Sequence, residues 1–536
     1  MKDHKNYAPG RGRSVQRLAN GSGDPTRGRR SRRLRTGILV SIMSLALVST
    51  PLAGWRTSAQ SLLCDISQIT FTTGGGNSSL ALSDDGARLA FLSNRDLTGG
   101  NADGNFEIFE YNTEPGSFTQ ITNSTAEMAF VNFDLSLSGD GTRIAFLSIL
   151  NLTGGNADGN GEIFFFDAAT NGFTQVTDTT GFGGNSDLAL SDEGTRLAFR
   201  SSYDLTGGNP DGNQEILLYN TQTGSFTQLT TTTGINNFNP AISGNGTRIA
   251  FESLHNLTGG NPDGNFEIFI YDTQAGSLTQ VTDSTGGFNS PTSLNDAGTR
   301  IAFQSKCNLT GDNADLNTDI FLYDSTSGIA QVTNTTGEAA YFANFAASIS
   351  GDGTRIAFLS NRDLTGGNAD GNDEIIIYDT QAGSFTQVTD TTGGFNDSPS
   401  ITDDGTRIAF ASNRDVTGGN ADQNFEIFLG TCRLDSDDDG IPDESDPDTV
   451  ADVVIALPDT SFQSSGNKNA FLSRLEAIEQ LILDGKIDQA LQELQNLRRR
   501  VDGCGSTADT NDWITDCAAQ LQVRALIDML IGNLSI

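Results

Sequence analysis

The sequence predicts an all-β fold in which seven repeated units, each an antiparallel four-stranded sheet, close into a ring that precedes a small helical module. Three observations carry that prediction. The phrase DLTGGNADGNFEIFEY at residues 96–111 returns in six further variants, the last being DVTGGNADQNFEIFLG at 415–430. The arginine of a recurring G-[AT]-R triplet stands at Arg88, Arg143, Arg196, Arg248, Arg300, Arg355 and Arg407, with spacings of 55, 53, 52, 52, 55 and 52 residues. Such a period holds one unit of four short strands and their turns, which cannot bury its own faces and must stack on neighbours. Finally, the 61 glycines, with many Thr and Asn, fall between short apolar runs rich in Phe (32 residues), the punctuation of an all-β chain.

At 536 residues the chain has room for one large repeat domain and a smaller one. Residues 1–59 read as a targeting segment. The basic stretch RGRRSRRLR (27–35) precedes an apolar run from Gly37 to Ala53 and the small-residue site Thr57-Ser58-Ala59. SRRLR resembles a twin-arginine export signal. A cleaved signal and an uncleaved membrane anchor are the two alternatives, the run lying near the lower limit for spanning. Either one takes the bulk of the chain out of the cytoplasm, to the periplasm, cell surface or medium. Residues 1–59 hold 12 of the 32 Lys and Arg but 2 of the 67 Asp and Glu, so the remainder carries a formal charge of −45. A surface that negative repels a phosphate backbone, which disfavours nucleic acid and favours cations as partners.

The repeats occupy residues 60–433. In the fourth, NPAIS (239–243), TRIAFES (247–253), EIFIYD (267–272) and SLTQVT (277–282) are expected as successive strands. Both faces of the TRIAF strand are apolar, so each sheet is covered on two sides. Radially stacked sheets of this kind are the blades of a β-propeller; an open solenoid is the alternative, but it needs polar capping repeats. The ends favour the ring. The seventh unit stops after FEIFLGTC without a fourth strand, and Cys64-Asp-Ile-Ser-Gln-Ile-Thr supplies the missing one. Placing Gln68 on Gln280 puts Cys64 where Gly276 falls, and placing Glu426 on Glu267 puts Cys432 where Thr273 falls. Those positions flank one tight turn in an intact unit, within disulfide reach, so a Cys64–Cys432 staple is expected.

LSDDGARLAFLSNRD followed by EIFEYN and FTQIT resembles the TolB-type propeller repeat of bacterial envelope proteins, over roughly residues 64–432. The resemblance implies a propeller fold and an exported bacterial protein. It implies little about activity, because propellers host binding proteins and enzymes alike.

Each second-to-third-strand loop carries N-x-D-x-N-x-[DE]. The residues are Asn101, Asp103, Asn105 and Glu107; Asn156, Asp158, Asn160 and Glu162; Asn209, Asp211, Asn213 and Glu215; and Asn261, Asp263, Asn265 and Glu267. The last three blades have Asn313, Asp315, Asn317 and Asp319; Asn368, Asp370, Asn372 and Glu374; and Asn420, Asp422, Asn424 and Glu426. Alternating oxygen side chains across a turn suit a hard cation and resemble the first half of an EF-hand loop, which makes the seven loops possible weak calcium sites. The alternative is turn chemistry, since Asn and Asp hold tight turns by bonding their own backbone.

A sharper calcium signal occupies the acidic linker, residues 434–461. In DSDDDGIPDESD, Asp435, Asp437, Asp439, Asp443 and Asp446 fall at positions 1, 3, 5, 9 and 12, with the Ile441 carbonyl at 7 and Gly440 at the sharp turn. The loop resembles those of thrombospondin type 3 repeats and of bacterial surface linkers, which implies bound calcium; an acidic disordered spacer is the alternative.

Residues 462–536 change to helical period. Phe471, Leu475, Ile478 and Ile482 line one face, and after Gly485 come Ile487, Ala490, Leu491, Leu494 and Leu497. With the segment from Val523, this predicts a three-helix bundle, stapled by Cys504–Cys517. GNKNAFLSRLEAIEQLILDGKIDQALQELQNLRRRV is similar to the FIMAH domain of secreted bacterial proteins. Arg498, Arg499 and Arg500 are a docking patch or, more simply, a solvated helix end.

Catalysis has little support in the sequence. Past the leader His255 is the one histidine, and its counterparts in the other repeats are Arg95, Leu150, Tyr203, Cys307, Arg362 and Arg414. No G-x-S-x-G elbow or appended hydrolase domain occurs. The reading is an exported, non-enzymatic propeller with calcium as its ion, presenting a binding face to a protein or glycan of the envelope or matrix. The alternative is a carbohydrate-active lyase or glycosidase using carboxylates or calcium in the central channel, and an inward-pointing acidic pair unique to one blade would favour it.

Overall fold

A computed structural model describes residues 61–125, 132–181, 183–234, 236–336, 343–435, 439–502 and 511–535. The targeting segment, Asp437 and Cys504 lie outside the described residues. Seven four-stranded antiparallel sheets follow one another along the chain. In the fourth, the strands are Asn237–Ile242, Arg248–Ser253, Glu267–Asp272 and Ser277–Gln280, paired in sequence order from the inside outward.

The second strand shows why the repeat folds this way. Ile249, Ala250 and Phe251 are all fully buried, although successive residues face opposite sides of the sheet. Ala250, Ile268 and Ile270 on one face pack against Ile301, Phe303 and Phe321 of the next blade. The small alanine lets the neighbouring phenylalanines approach, and Phe251 and Phe269 stack at 5.9 Å. Burying each such phenylalanine contributes about 1.5–3 kcal/mol. The repeat arginine adds a polar clasp between blades. Arg248 donates to the Gly298 carbonyl at 3.0 Å, Arg355 to Gly405 at 2.8 Å, and Arg407 to Gly86 at 3.2 Å, which joins blade seven to blade one.

The seventh sheet contains Asn396–Ile401, Arg407–Ser412, Glu426–Asp435 and, as its outer strand, Ser61–Gln68. Gln68 pairs with Phe428 as Gln280 pairs with Phe269, which is the expected register. Cys64 lies directly opposite Cys432 and is bonded to it (S–S 2.07 Å). Where other blades turn, the two strands run on as a ribbon to the Ser61–Asp435 pair. Cys307 is a buried free thiol whose Sγ contacts the Gly286 carbonyl at 2.9 Å.

Among the described residues a helix, α1 (Asp448–Ala456), precedes the three expected over 462–536, which are α2 (Ser465–Leu483), α3 (Ile487–Arg498) and α4 (Cys517–Asn533). The additional helix α1 falls within the segment read as linker. It forms because Val450, Ala451 and Val454 make one apolar face, which joins Phe471, Leu475, Ile478, Leu494, Val523 and Ile527 in a single core. Ser464 caps α2 and Asp516 caps α4, each accepting from backbone N–H groups of the first turn. Cys517 is disulfide-bonded. Among the described residues no helix is long and apolar enough to cross a membrane.

Candidate functional site

The repeated loops are held chiefly by their own side chains. Asn209 donates its N–H to Asp204 at 2.9 Å and its Nδ2 to the Asn213 carbonyl at 2.8 Å, closing the turn. Glu215 is buried and accepts from Asn213 Nδ2 (3.0 Å), Thr232 N–H (2.6 Å), Asn237 Nδ2 (3.0 Å) and the Thr230 hydroxyl. The terminal acid of the phrase thus ties its blade to the connector leading into the next. Glu426 does the same across the chain ends, accepting from Thr70, Thr72 and Asn77. Asp319, the shorter acid of the fifth blade, takes Thr333, Thr335 and Asn344. The central aspartates are exposed, and Asp211, Asp370 and Asp422 each accept from a glycine N–H in the connector. Asn368 Oδ1 accepts from Gly371 N–H at 3.2 Å, a side-chain bond to the backbone of its own turn.

The linker loop folds around its first aspartate. Asp435 is buried and accepts from the N–H groups of Asp439 (3.3 Å) and Gly440 (3.0 Å), while Asp439 accepts from Ile441 N–H at 2.8 Å. Gly440 has φ +91°, a conformation open to glycine at little cost. Asp443 donates its N–H to the Leu434 carbonyl, and Asp446 accepts from Asp448 N–H at the start of α1. Among the described residues no group of three or more His, Cys, Asp or Glu side chains is arranged to hold a metal ion.

Two features of the ring axis lie outside the residues singled out from sequence. The residue after the conserved Ser, Asn or Thr of each first turn alternates around the ring: Asp84, Gly139, Asp192, Gly244, Asp296, Gly351, Asp403. Backbone hydrogen bonds link these turns in a closed circuit, from Asp84 N–H to Gly139 O (2.9 Å) round to Asp403 N–H to Asp84 O (3.1 Å). The glycines make room for the carboxylates. A Cβ at Gly139 would stand 1.8 Å from an Asp84 oxygen, and one at Gly351 would stand 2.3 Å from Asp403 and 2.5 Å from Asp296. Burial, reinforced by the like charges of the other aspartates, pushes Asp84, Asp192 and Asp403 up to about 7.

The second feature is a pocket of about 570 Å³ lined by the innermost strands of all seven blades. Each of these strands carries a register shift, and in six of them the third residue has positive φ, as in Asp134 (+53°), Asp187 (+57°) and Ala346 (+55°). A bulge next to a channel re-aims side chains. The wall it builds is asymmetric. Asp134, Asp187, Asn239, Ser290 and Gln304 make a polar arc from blades two to five, with Leu188, Pro240, Ala241 and Pro291 between them, whereas blades one, six and seven contribute Leu80, Ala346, Ala347 and Pro399 beside Ser398. Asp187 pairs with Arg200 Nε at 2.6 Å. Arg200 also donates to Ser186 and Gln214 and lies over the Phe238 ring. Asn239 donates to Glu252 (2.8 Å) and Ser290 (3.2 Å). Burial raises Asp134 to about 6 and Glu252 to about 7, against hydrogen bonds that lower both. The signal for this arc is variation between repeats. The third position of the first strand reads Ser79, Asp134, Asp187, Asn239, Pro291, Ala346, Ser398, and the fifth of the second strand reads Leu92, Leu147, Arg200, Glu252, Gln304, Leu359, Ala411.

No family model and no curated protein matches the sequence. Solved structures that resemble the chain include TolB from Acinetobacter baumannii (19% identity, 56% of this chain and 63% of that one, TM-score 0.37). An oligogalacturonate lyase from Vibrio parahaemolyticus matches at 14% identity over 69% of this chain and 97% of that one, with a TM-score of 0.48. The β-propeller domain of the Trilobed protease from Pyrococcus furiosus matches at 11% over 68% and 99%, with a TM-score of 0.45. The chain therefore spans less than two thirds of the TolB structure it matches, and at these identities the likeness concerns fold and not activity.

Proposed function

We propose that the chain is an exported, non-enzymatic propeller that binds its ligand in the axial pocket and holds calcium at the acidic linker. The observation that carries this reading is a cavity of about 570 Å³, within the size range of small-ligand sites, whose acidic and amide side chains all come from blades two to five. Export is supported by the targeting segment and by the Cys64–Cys432 bridge, a feature of oxidising compartments. The linker's backbone hydrogen bonds onto Asp435, with glycine at the sharp turn, suit a calcium loop. A thermal-shift array of sugars, amino acids and short peptides tests the reading. Compounds that raise Tm of the wild type should lose their effect on Leu80→Trp, which fills the channel from its apolar side. Retained shifts in that variant would place binding elsewhere.

A carbohydrate-active enzyme is the second reading, favoured by Asp134 and Glu252, two carboxyls raised toward neutral pH as general acids are. Binding is preferred because Glu252 is bonded to Asn239 and Ser290 and does not line the pocket, and Asp187, the second acid that does, is held in an ion pair by Arg200. Release of reducing ends from plant or bacterial polysaccharides, abolished by Asp134→Asn, would favour the enzyme instead.

A further inference from the structure

We propose that the axial pocket selects a ligand presenting a primary ammonium group on an uncharged carbon skeleton; this rests on the binding reading above. The polar arc offers more free acceptors than free donors, because the Asn239 amide donates to Glu252 and Ser290 and the Ser290 hydroxyl is bonded to Glu252, which leaves the Gln304 amide as the free donor. Asp134 and Asp187 line it, and no Lys, Arg or His does. The nearest cation, Arg200, stands behind Asp187 and is already engaged by Asp187, Ser186, Gln214 and the Phe238 ring. Gln304 also lines the pocket, and its carboxamide oxygen is buried without a hydrogen-bond donor. An ammonium group brings three donors and no acceptor, whereas a hydroxyl brings one donor and two lone pairs that this wall is poorly equipped to satisfy.

The opposite wall suits the rest of such a ligand. Leu80, Pro399, Ala346 and Ala347 offer apolar surface for an aliphatic or sugar-ring skeleton, and the pocket's volume admits a group of that size. The formal charge of −45 past residue 59 adds a long-range field that attracts cations to the chain.

Asp134 makes the proposal sensitive to pH. The groups that face it are the N–H groups of Leu188 and Asp187, the Asp187 carboxylate and the Arg200 guanidinium; burial, aided by the Asp187 charge, outweighs the N–H groups and Arg200 and raises it to about 6. An arriving ammonium stabilises the carboxylate, so binding releases a proton below that pH and strengthens as pH rises through it.

Calorimetric titration of the purified chain with two matched pairs, glucosamine against glucose and hexylamine against hexanol, tests this at pH 5 and pH 7, where both amines are mainly protonated. Glucosamine and hexylamine distinguish an amino sugar from an alkyl amine as the source of the ammonium. At pH 7 the amine of at least one pair should bind about tenfold or more tightly than its neutral isostere, the worth of a charge-assisted hydrogen bond. The preference should shrink at pH 5 and disappear in Asp134→Asn, a substitution that the backbone tolerates because Asn, like Asp, adopts φ near +53°. Neutral isosteres binding as tightly as the amines, with Leu80→Trp blocking both, would overturn the inference and leave the pocket reading standing. Binding unaffected by Leu80→Trp, or no binding of any probe at millimolar concentration, would overturn both. An amine preference that survives Asp134→Asn would also overturn the inference.

Discussion

Replacing both Cys64 and Cys432 by serine removes a covalent link between residues 368 apart, the covalent part of the ring's closure. A loop of that length restricts the unfolded chain by about 6 kcal/mol on the entropy model, an upper limit, since measured bridges contribute ~2–4 kcal/mol. A ring of roughly 370 residues unfolds with an entropy of about 0.8 kcal/mol per kelvin, so a loss of ~4 kcal/mol lowers Tm by about 5 °C. The variant should still fold, because the seam has other closures: Glu426 with Thr70, Thr72 and Asn77, Arg407 with Gly86, and Asp403 with Asp84. Differential scanning calorimetry of wild type and variant reads the shift, and far-UV circular dichroism checks the fold. A Tm unchanged within a degree would show that the bridge does not constrain the ring. Loss of the β-sheet signal would show that the non-covalent seam is weaker than argued.

Three further outcomes are expected. The axial aspartates have folded-state values near 7 against an ordinary 3.8, so the native chain binds more protons between those limits. Their contribution therefore turns against folding as pH rises from about 4 to 7 and is constant above that. Asp192→Asn should stabilise the chain at pH 8, by about 1 kcal/mol once the partial exposure of the carboxyl is discounted, and converge with wild type below about pH 4 in parallel denaturant melts. Calorimetry with calcium should lose one binding event on Asp437→Ala, and unchanged stoichiometry would remove the linker site. In that same variant EDTA and excess calcium should give one melting curve, because the terminal acids of the seven loops are engaged by threonine, serine and asparagine donors; a calcium-dependent rise would assign the loops to metal.

The ring was legible in the sequence because closure is a matter of register, and aligning Gln68 with Gln280 suffices to oppose Cys64 and Cys432. What the repeated phrase does was harder to read. N-x-D-x-N-x-E looks like an oxygen-rich loop, but the partners of Glu215 are Thr230, Thr232 and Asn237, on a connector 15–22 residues further on. The T-x-T recurring at that distance was the available signal. The polar arc escaped for the opposite reason. It occupies positions where repeats differ, and a reading anchored on what repeats discards them. Helix α1 escaped because its apolar residues end in an unbroken run, Val453-Val454-Ile455-Ala456, which hides the helical period of the buried Val450, Ala451 and Val454.

A crystal structure of the chain with the ligand that most raises its Tm tests the central claim most directly. The account predicts ligand density in the channel, bounded by Asp134, Asn239 and Gln304 on one side and Leu80 and Pro399 on the other. Density on the face that carries the repeated loops, with the channel empty, would contradict it.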